Sequence, residues 1–189
     1  MTVTPLRLLL VLSCAVLGLT AATPPATGDR APDFALPGLD GPAVTLSGLT
    51  RKGPVVLVVL RGWPGYQCPI CDRQMNDFIG AREQFAAAGA RLAFVYPGPA
   101  ADLTARAAEF RAWKGREWPA DYLYLLDPDF AFTNAYGLRW DAEKETAYPS
   151  TFIIDHGGTV RFARISHVHG GRTKAAEVLA ALRDLPAGR

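Results

Sequence analysis

Residues 55–60 form an uninterrupted apolar run with the sequence Val-Val-Leu-Val-Val-Leu. Such a run is typical of a strand that is buried on both faces, as in a sheet covered by helices on each side. A loop with two glycines follows at 61–67, and from Pro69 onwards the apolar residues recur at helical spacing. A strand, a loop and a helix in this order predict one unit of an alternating α/β fold.

The remainder of the chain continues this alternation. Apolar segments predict further strands at 92–96, 123–126, 152–154 and 160–165, and the intervening patterns predict helices at about 103–113, 127–136 and 173–185. The last two strands flank a His-Gly-Gly turn and should pair as an antiparallel hairpin. Short apolar pieces on either side of residues 38–42 indicate an N-terminal hairpin extension. We therefore expect an α/β sandwich, with a central mixed sheet and helices on both faces.

The first residues have the composition of a targeting segment. Arg7 precedes an apolar stretch at 8–19, and small residues follow at 20–22. This order predicts a secretory signal peptide over residues 1–22. The apolar stretch is short for a membrane span, which needs about 20 apolar residues. An uncleaved N-terminal anchor, which would tether the domain to the membrane outside the cytoplasm, is the alternative. We expect an exported, periplasmic or extracytoplasmic protein in which residues 23–29 form a flexible leader and residues 30–189 form one domain.

Charge and cysteine content narrow the classes of function. The chain has 20 Lys and Arg against 18 Asp and Glu, without a block of like charge, so no nucleic-acid partner is expected. Only Cys68 and Cys71 remain once the signal peptide is removed. A disulfide between them closes too short a loop to stabilise a domain much, and two sulfurs are too few for a zinc site. The pair therefore favours redox chemistry that uses no metal and no cofactor.

Cys68 and Cys71 lie where the loop meets the predicted helix. Pro69 suits the first helical position, because its missing N–H is not needed there. Cys68 is then the helix N-cap, and the partial positive charge of the first turn should lower the pKa of its thiol. Cys71, one turn later, can attack a mixed disulfide at Cys68 and release the product. We therefore expect Cys68 to be the nucleophile and Cys71 to be the resolving cysteine.

Three segments of the chain resemble redoxins of the thioredoxin-like superfamily: VVLVVLRGWPGYQCPICDRQM at 55–75, DPDFAFTNAYGL at 127–138 and YPSTFIID at 148–155. The chain is particularly similar to the peroxiredoxin-like branch that contains the alkyl hydroperoxide reductase/thiol-specific antioxidant domain. The resemblance implies a thioredoxin-like fold and an oxidoreductase. Its partners would be protein thiols and disulfides, or hydroperoxides, together with an external thiol as the electron donor.

One activity implied by the resemblance is thiol–disulfide exchange. Thioredoxin-like oxidoreductases carry a cis-proline that faces the Cys-x-x-Cys pair, and Pro149 matches that position. It would present the Tyr148 backbone to an extended substrate segment as a partial strand. An ordinary trans proline at the start of a strand is the alternative. We expect a cis bond and a thiol–disulfide oxidoreductase.

The other implied activity is the reduction of hydroperoxides. Peroxiredoxins carry Pro-x-x-x-Thr-x-x-Cys, and the segment from Pro64 to Cys71 has that frame, with Cys71 at the peroxide-attacking position. Cys68 replaces the threonine whose hydroxyl helps to orient peroxide in the family. Pro149 stands where the family has an arginine that stabilises the thiolate, a role that Arg61 could take over. These substitutions favour disulfide exchange and leave an antioxidant peroxidase as the second candidate.

Other side chains near the pair have less specific patterns. Trp63 and Tyr66 flank the cysteines and would either form an apolar rim for a substrate or simply pack within the loop. His167 and His169 alternate at the end of a predicted strand and would share one face, but a metal site usually needs further ligands, so we expect no metal. A redox-inactive binding module, with a partner docked over Trp63 and Pro149, is a further alternative that the two retained cysteines disfavour.

Overall fold

The computed structural model describes residues 22–185, and these contain seven strands and six α-helices. The strands are β1 (Ala35–Gly38), β2 (Gly41–Thr45), β3 (Val55–Val59), β4 (Arg91–Gly98), β5 (Leu123–Pro128), β6 (Ser150–Ile154) and β7 (Val160–Ile165). The helices are α1 (Leu46–Thr50), α2 (Pro69–Gly80), α3 (Arg82–Ala87), α4 (Leu103–Arg111), α5 (Ala131–Ala135) and α6 (Ala175–Arg183), with a 3₁₀ turn at Trp113–Gly115. No helix among these residues is long and apolar enough to cross a membrane.

The seven strands form one mixed sheet in the order β2-β1-β5-β4-β3-β6-β7. Strands β3, β4 and β5 are parallel, whereas β6 is antiparallel to β3 and to β7. The N-terminal hairpin of β1 and β2 extends the sheet at the other side, where β1 is antiparallel to β5. The predicted mixed sheet with an N-terminal hairpin extension is confirmed.

Strand β3 lies inside this sheet, and all five of its residues are buried. Because side chains alternate across a strand, Val56 packs with Met75 of α2 and Val178 of α6 on one face of the sheet. Leu57 packs with Phe132 of α5 on the opposite face. Burial on both sides explains why this segment is apolar without alternation.

Two local features differ from the sequence-based expectation. The helix expected from Pro69 onwards is divided into α2 and α3 at Ala81, whose φ of −99° and ψ of 12° lie outside the helical range. Gly80 precedes this break and has low helix propensity. The break allows the ring of Phe85 to stack on Phe78 with 5.4 Å between centroids. Helix α1 was not predicted, because its five residues are too few to show a helical period in the apolar residues. Its N-cap is Thr45.

Part of the segment expected to be a flexible leader makes contacts with the domain. The N–H of Gly28 donates to the carbonyl of Val160 at 2.8 Å, and the N–H of Val160 donates to the carbonyl of Asp29 at 2.9 Å. Pro25 is buried. The edge strand β7 has unpaired backbone groups at its start, and this segment satisfies them. The predicted signal peptide lies, except for Ala22, outside the described residues.

Candidate active site

Cys68 occupies the N-cap of α2, as the sequence predicts, and Pro69 is the first helical residue. The backbone of Cys68 is extended, with φ −83° and ψ 113°, and its Sγ accepts a hydrogen bond from the N–H of Cys71 at 3.4 Å. Both cysteines are free thiols. Cys68 is 2% exposed and Cys71 is 0% exposed, so a reactant must approach the pair through a narrow opening at Cys68.

The two thiols have opposite shifts in pKa. The pKa of Cys68 is lowered, first by the hydrogen bond from the Cys71 side chain, and burial only partly opposes this effect. The N–H of Cys71 and the positive charge of Arg172 lower it further. The pKa of Cys71 is raised well above its ordinary value, because the thiol is completely buried and lies beside the Cys68 sulfur. The environment therefore favours a thiolate at Cys68 and a neutral thiol at Cys71.

Arg172, which precedes α6, is the cation that contacts the sulfur of Cys68. Its Nη2 donates to Cys68 Sγ at 3.7 Å. The guanidinium is held by the carbonyl of His169, at 3.1 Å from Nε, and by the Oε1 of Gln74, at 3.4 Å from Nη1. Sequence reasoning missed Arg172, because it lies about a hundred residues from Cys68 and belongs to none of the recognised motifs.

Arg61, the candidate replacement for the family arginine, does not bring its charge to the cysteine pair. Its side chain is 3% exposed, and its Nε donates to Glu145 at 2.5 Å. The other guanidinium nitrogens donate to the Lys144 carbonyl and to the Tyr66 hydroxyl. Only the backbone N–H of Arg61 reaches the pair, donating to Cys71 Sγ at 3.4 Å. The charge of Arg61 is thus paired with Glu145, and the cation at the sulfur is Arg172.

The expectation of a cis-proline is wrong. Every peptide bond in residues 22–185 is trans, including the bond between Tyr148 and Pro149. Pro149 is buried directly before β6, a position where its missing N–H costs no ladder hydrogen bond. The N–H of Tyr148 donates to Leu138 and its carbonyl accepts from the Ser150 hydroxyl. The N–H of Tyr148 is therefore already bonded within the chain.

The remaining predicted side chains surround the loop before α2. Trp63 is half-buried, packs against the core and lies under the guanidinium of Arg106, at 4.8 Å from the ring centroid. Tyr66 is 42% exposed and contacts Arg61, whereas Pro64 is half-buried. Of the two predicted rim aromatics, only Tyr66 is therefore largely exposed at the surface.

The loop itself depends on Gly62. Its φ is +75°, and a β-carbon there would collide with the carbonyl oxygen of Pro97 at the end of β4. The N–H of Trp63 donates to the same carbonyl at 2.9 Å. This close approach fixes the path of the chain from β3 to Cys68.

The two histidines of the predicted strand end make contacts other than metal ligation. The His169 Nε2 lies 2.7 Å from Glu145 Oε1, and the His167 ring packs edge-on against Tyr148 with 4.7 Å between centroids. Between residues 22 and 185, no group of three or more His, Cys, Asp or Glu has the arrangement of a metal site.

Sequence comparison identifies relatives of this chain. The model of the AhpC/TSA family matches residues 27–163. The chain is 29% identical over 151 residues to "Putative peroxiredoxin Rv2521" of Mycobacterium tuberculosis, covering 77% of this chain and 88% of that protein. It is 28% identical over 135 residues to "Peroxiredoxin Q, chloroplastic" of Oryza sativa subsp. japonica, covering 71% of this chain and 57% of the relative.

Solved structures with the same architecture include a peroxidoxin and a protein described as a thiol:disulfide interchange protein. Peroxidoxin BcpB from Mycobacterium tuberculosis superposes with a TM-score of 0.68 at 26% identity, covering 86% of this chain and 99% of the other. A "putative Thiol:disulfide interchange protein DsbE" from Chlorobium tepidum superposes with a TM-score of 0.61 at 27% identity, covering 84% and 99%. The chain is therefore an oxidoreductase with a thioredoxin-like fold, and it belongs to the AhpC/TSA family.

Proposed function

We propose that this protein is a thiol–disulfide oxidoreductase in which Cys68 is the nucleophile and Cys71 the resolving cysteine. The observation that carries the proposal is the opposite environment of the two thiols. Cys68 caps a helix beside Arg172, which favours the reactive thiolate, whereas Cys71 is fully buried and stays protonated. The positions of the two sulfurs on consecutive turns suit intramolecular resolution.

The reaction then has two steps. The Cys68 thiolate attacks one sulfur of a substrate disulfide, the substrate S–S bond breaks, and one thiolate leaves. Cys71 then loses its proton to the departing thiolate and attacks Cys68 Sγ, which forms the Cys68–Cys71 disulfide and releases the second substrate thiolate. The substrate gains two electrons and the dithiol loses two. An external thiol returns the protein to the dithiol state.

Peroxide reduction is the second candidate, favoured by the frame from Pro64 to Cys71 and by relatives named peroxiredoxins. In that reaction the Cys68 thiolate attacks one peroxide oxygen, the O–O bond breaks, and Cys68 becomes a sulfenic acid as water or an alcohol leaves. Cys71 condenses with the sulfenic acid, forming the disulfide and releasing water. The burial of Cys71 favours Cys68 as the attacking sulfur for peroxides as well.

Trapping with dithiodipyridine tests which cysteine attacks. The Cys71→Ser variant should release one thiopyridone and keep the other as a stable mixed disulfide on Cys68, visible by mass. The wild type should release both thiopyridones and carry an internal disulfide. The Cys68→Ser variant should react at least about tenfold more slowly, because Cys71 is buried and protonated. Equal rates for the two variants would contradict the assignment of Cys68 as the nucleophile.

Stopped-flow tryptophan fluorescence separates the two candidate activities, because Trp63 lies close to the pair in sequence. We expect the reduced protein to be oxidised by hydrogen peroxide at a rate near that of a free thiol and to exchange rapidly with a disulfide. Oxidation by hydrogen peroxide that is faster by orders of magnitude would make peroxide reduction the main activity.

Export of the protein is a separate proposal that rests on residues 1–22. The basic start, the apolar stretch at 8–19 and the small residues at 20–22 support a cleaved signal peptide. The mass of the protein recovered from the extracytoplasmic fraction should correspond to a chain that begins close to residue 23. A full-length mass in the membrane fraction would instead identify an N-terminal tether.

A further inference from the structure

A surface groove of about 430 Å³ lies beside the first turns of α2, between that helix and the residues that lead into α6. Its walls are formed by Ile70, Arg73 and Gln74 on one side and by residues 170–174 on the other. This volume is within the range of small-molecule sites, which is about 300–1,000 Å³.

The groove carries an excess of positive charge. Three cations line it, Arg73, Arg172 and Lys174, against the single carboxylate of Asp77. Asp77 accepts a hydrogen bond from the N–H of Ala175 at 2.7 Å, so one of its oxygens already has a partner. Within residues 22–185, none of the three cations pairs with a carboxylate. Such a cluster attracts an anionic ligand.

The groove adjoins the reactive sulfur. Arg172 lines it and also donates to Cys68 Sγ at 3.7 Å, and Gln74 lines it and accepts from Arg172. Ile70, between the two cysteines in sequence, supplies an apolar wall. The link between the groove and Cys68 is thus the Arg172 guanidinium, which lines the groove and contacts the sulfur.

A small ligand fits this geometry better than a protein segment does. Cys68 is only 2% exposed, and the Tyr148 backbone that would pair with an extended substrate is bonded to Leu138 and Ser150. We infer that the groove binds a low-molecular-weight disulfide that carries carboxylates, with its S–S bond at Cys68. This inference rests on the proposed function and defines its substrate class.

The reaction assigned to the groove is the exchange described above. The Cys68 thiolate displaces one carboxylate-bearing thiolate from the disulfide, and the other half stays in the groove as a mixed disulfide with Cys68. Attack by Cys71 then closes the internal disulfide and releases the second carboxylate-bearing thiol. Arg73 and Lys174 hold the carboxylate of the bound half and take no part in electron transfer.

The test compares three disulfides of similar size and different charge: dithiodipropionate, which is dianionic, hydroxyethyl disulfide, which is neutral, and cystamine, which is dicationic. The full reduced protein is mixed with each, and its oxidation is followed by mass. Each rate constant is divided by that of mercaptoethanol with the same disulfide, which removes differences in intrinsic reactivity. We expect the normalised rate to be at least about tenfold higher for the dianion than for the neutral disulfide, and lowest for the dication.

The Arg73→Gln/Lys174→Gln double variant should lower the anion-to-neutral ratio at least about threefold, because both residues line the groove, while Arg172 keeps its contact with Cys68. Lys52→Gln is the matched control, since Lys52 is exposed and precedes β3 at the opposite end of that strand from the cysteines. This control should retain the wild-type ratio.

The outcomes separate the two proposals. A wild type that reacts rapidly with all three disulfides, without an order by charge, would overturn the groove and leave thiol–disulfide exchange intact. An anion-to-neutral ratio that the double variant leaves unchanged would also overturn the groove. Failure of every disulfide to oxidise Cys68 would overturn the proposed function, and the substrate class with it.

Discussion

At the scale of single residues, two identical side chains acquire different chemistry from their surroundings. Cys68 and Cys71 are three positions apart, yet the pKa of one thiol is lowered and that of the other is raised. The position of Cys68 at the helix N-cap accounts for part of this difference in pKa, and it can be inferred from Pro69, the next residue in the sequence. The contact with Arg172 and the complete burial of Cys71 cannot, because both depend on how distant segments pack.

The charge of Arg172 should contribute to the pH dependence of Cys68, after the hydrogen bond from Cys71. Because the Cys68 pKa is lowered, the thiolate is present above that pKa, and reactivity is lost as the pH falls through it. Arg172→Gln removes a stabilising charge, so the midpoint of Cys68 alkylation by iodoacetamide should move to higher pH by about 0.5 to 1 unit. Alkylation rates of the reduced protein across the pH range measure this shift. Lys52→Gln should keep the wild-type midpoint, and an unchanged midpoint in Arg172→Gln would show that this contact does not stabilise the thiolate.

At the scale of elements, the loop between β3 and α2 determines where the helix begins. Gly62 brings this loop against the end of β4, and Trp63 bonds to the same carbonyl of Pro97. Gly65 also has a positive φ, of +101°, but a β-carbon there would meet nothing within 4 Å. A side chain at Gly65 would therefore suffer backbone strain alone, whereas a side chain at Gly62 would suffer the same strain and also collide with Pro97.

Gly62→Ala should be more destabilising than Gly65→Ala. Strain at a positive φ costs about 1–2 kcal/mol for a non-glycine residue, which both variants share. The collision with Pro97 should add about 1–3 kcal/mol to Gly62→Ala, as overpacking does in a core. Urea unfolding of the two reduced variants measures the difference. Equal losses in the free energy of unfolding would mean that the loop moves away from β4 without cost.

At the scale of the whole molecule, the sheet brings the parts of the site to one edge. Parallel strands β3 and β4 both end near the loop before α2, and the connection from β7 to α6 supplies Arg172. At the opposite end of β7, Gly28 and Asp29 bond to the backbone of Val160. The N-terminal segment thus completes the sheet at a distance from the cysteines.

Removal of this segment should lower stability without altering the cysteine pair. A chain that begins at Arg30 loses the two backbone hydrogen bonds with Val160 and the burial of Pro25, so its free energy of unfolding should fall by about 2–4 kcal/mol relative to a chain that begins at Ala22. Urea unfolding under reducing conditions measures the loss. A chain that begins at Pro24 keeps all these contacts and should match the longer chain. Equal stability of all three would show that the segment makes no net contribution.

The sequence by itself determined the features that depend on neighbours along the chain. The apolar run at 55–60 indicated a strand buried on both faces, and Cys68-Pro69 indicated the helix N-cap, because periodicity and capping are local properties. Only the tertiary structure decided which cation lies at the Cys68 sulfur, Arg172, and which carboxylate pairs with Arg61, Glu145. These contacts join residues 104 and 84 positions apart, and packing selects them over the other cations and carboxylates of the chain. The structure also decided the trans bond before Pro149, which corrects the expected cis-proline.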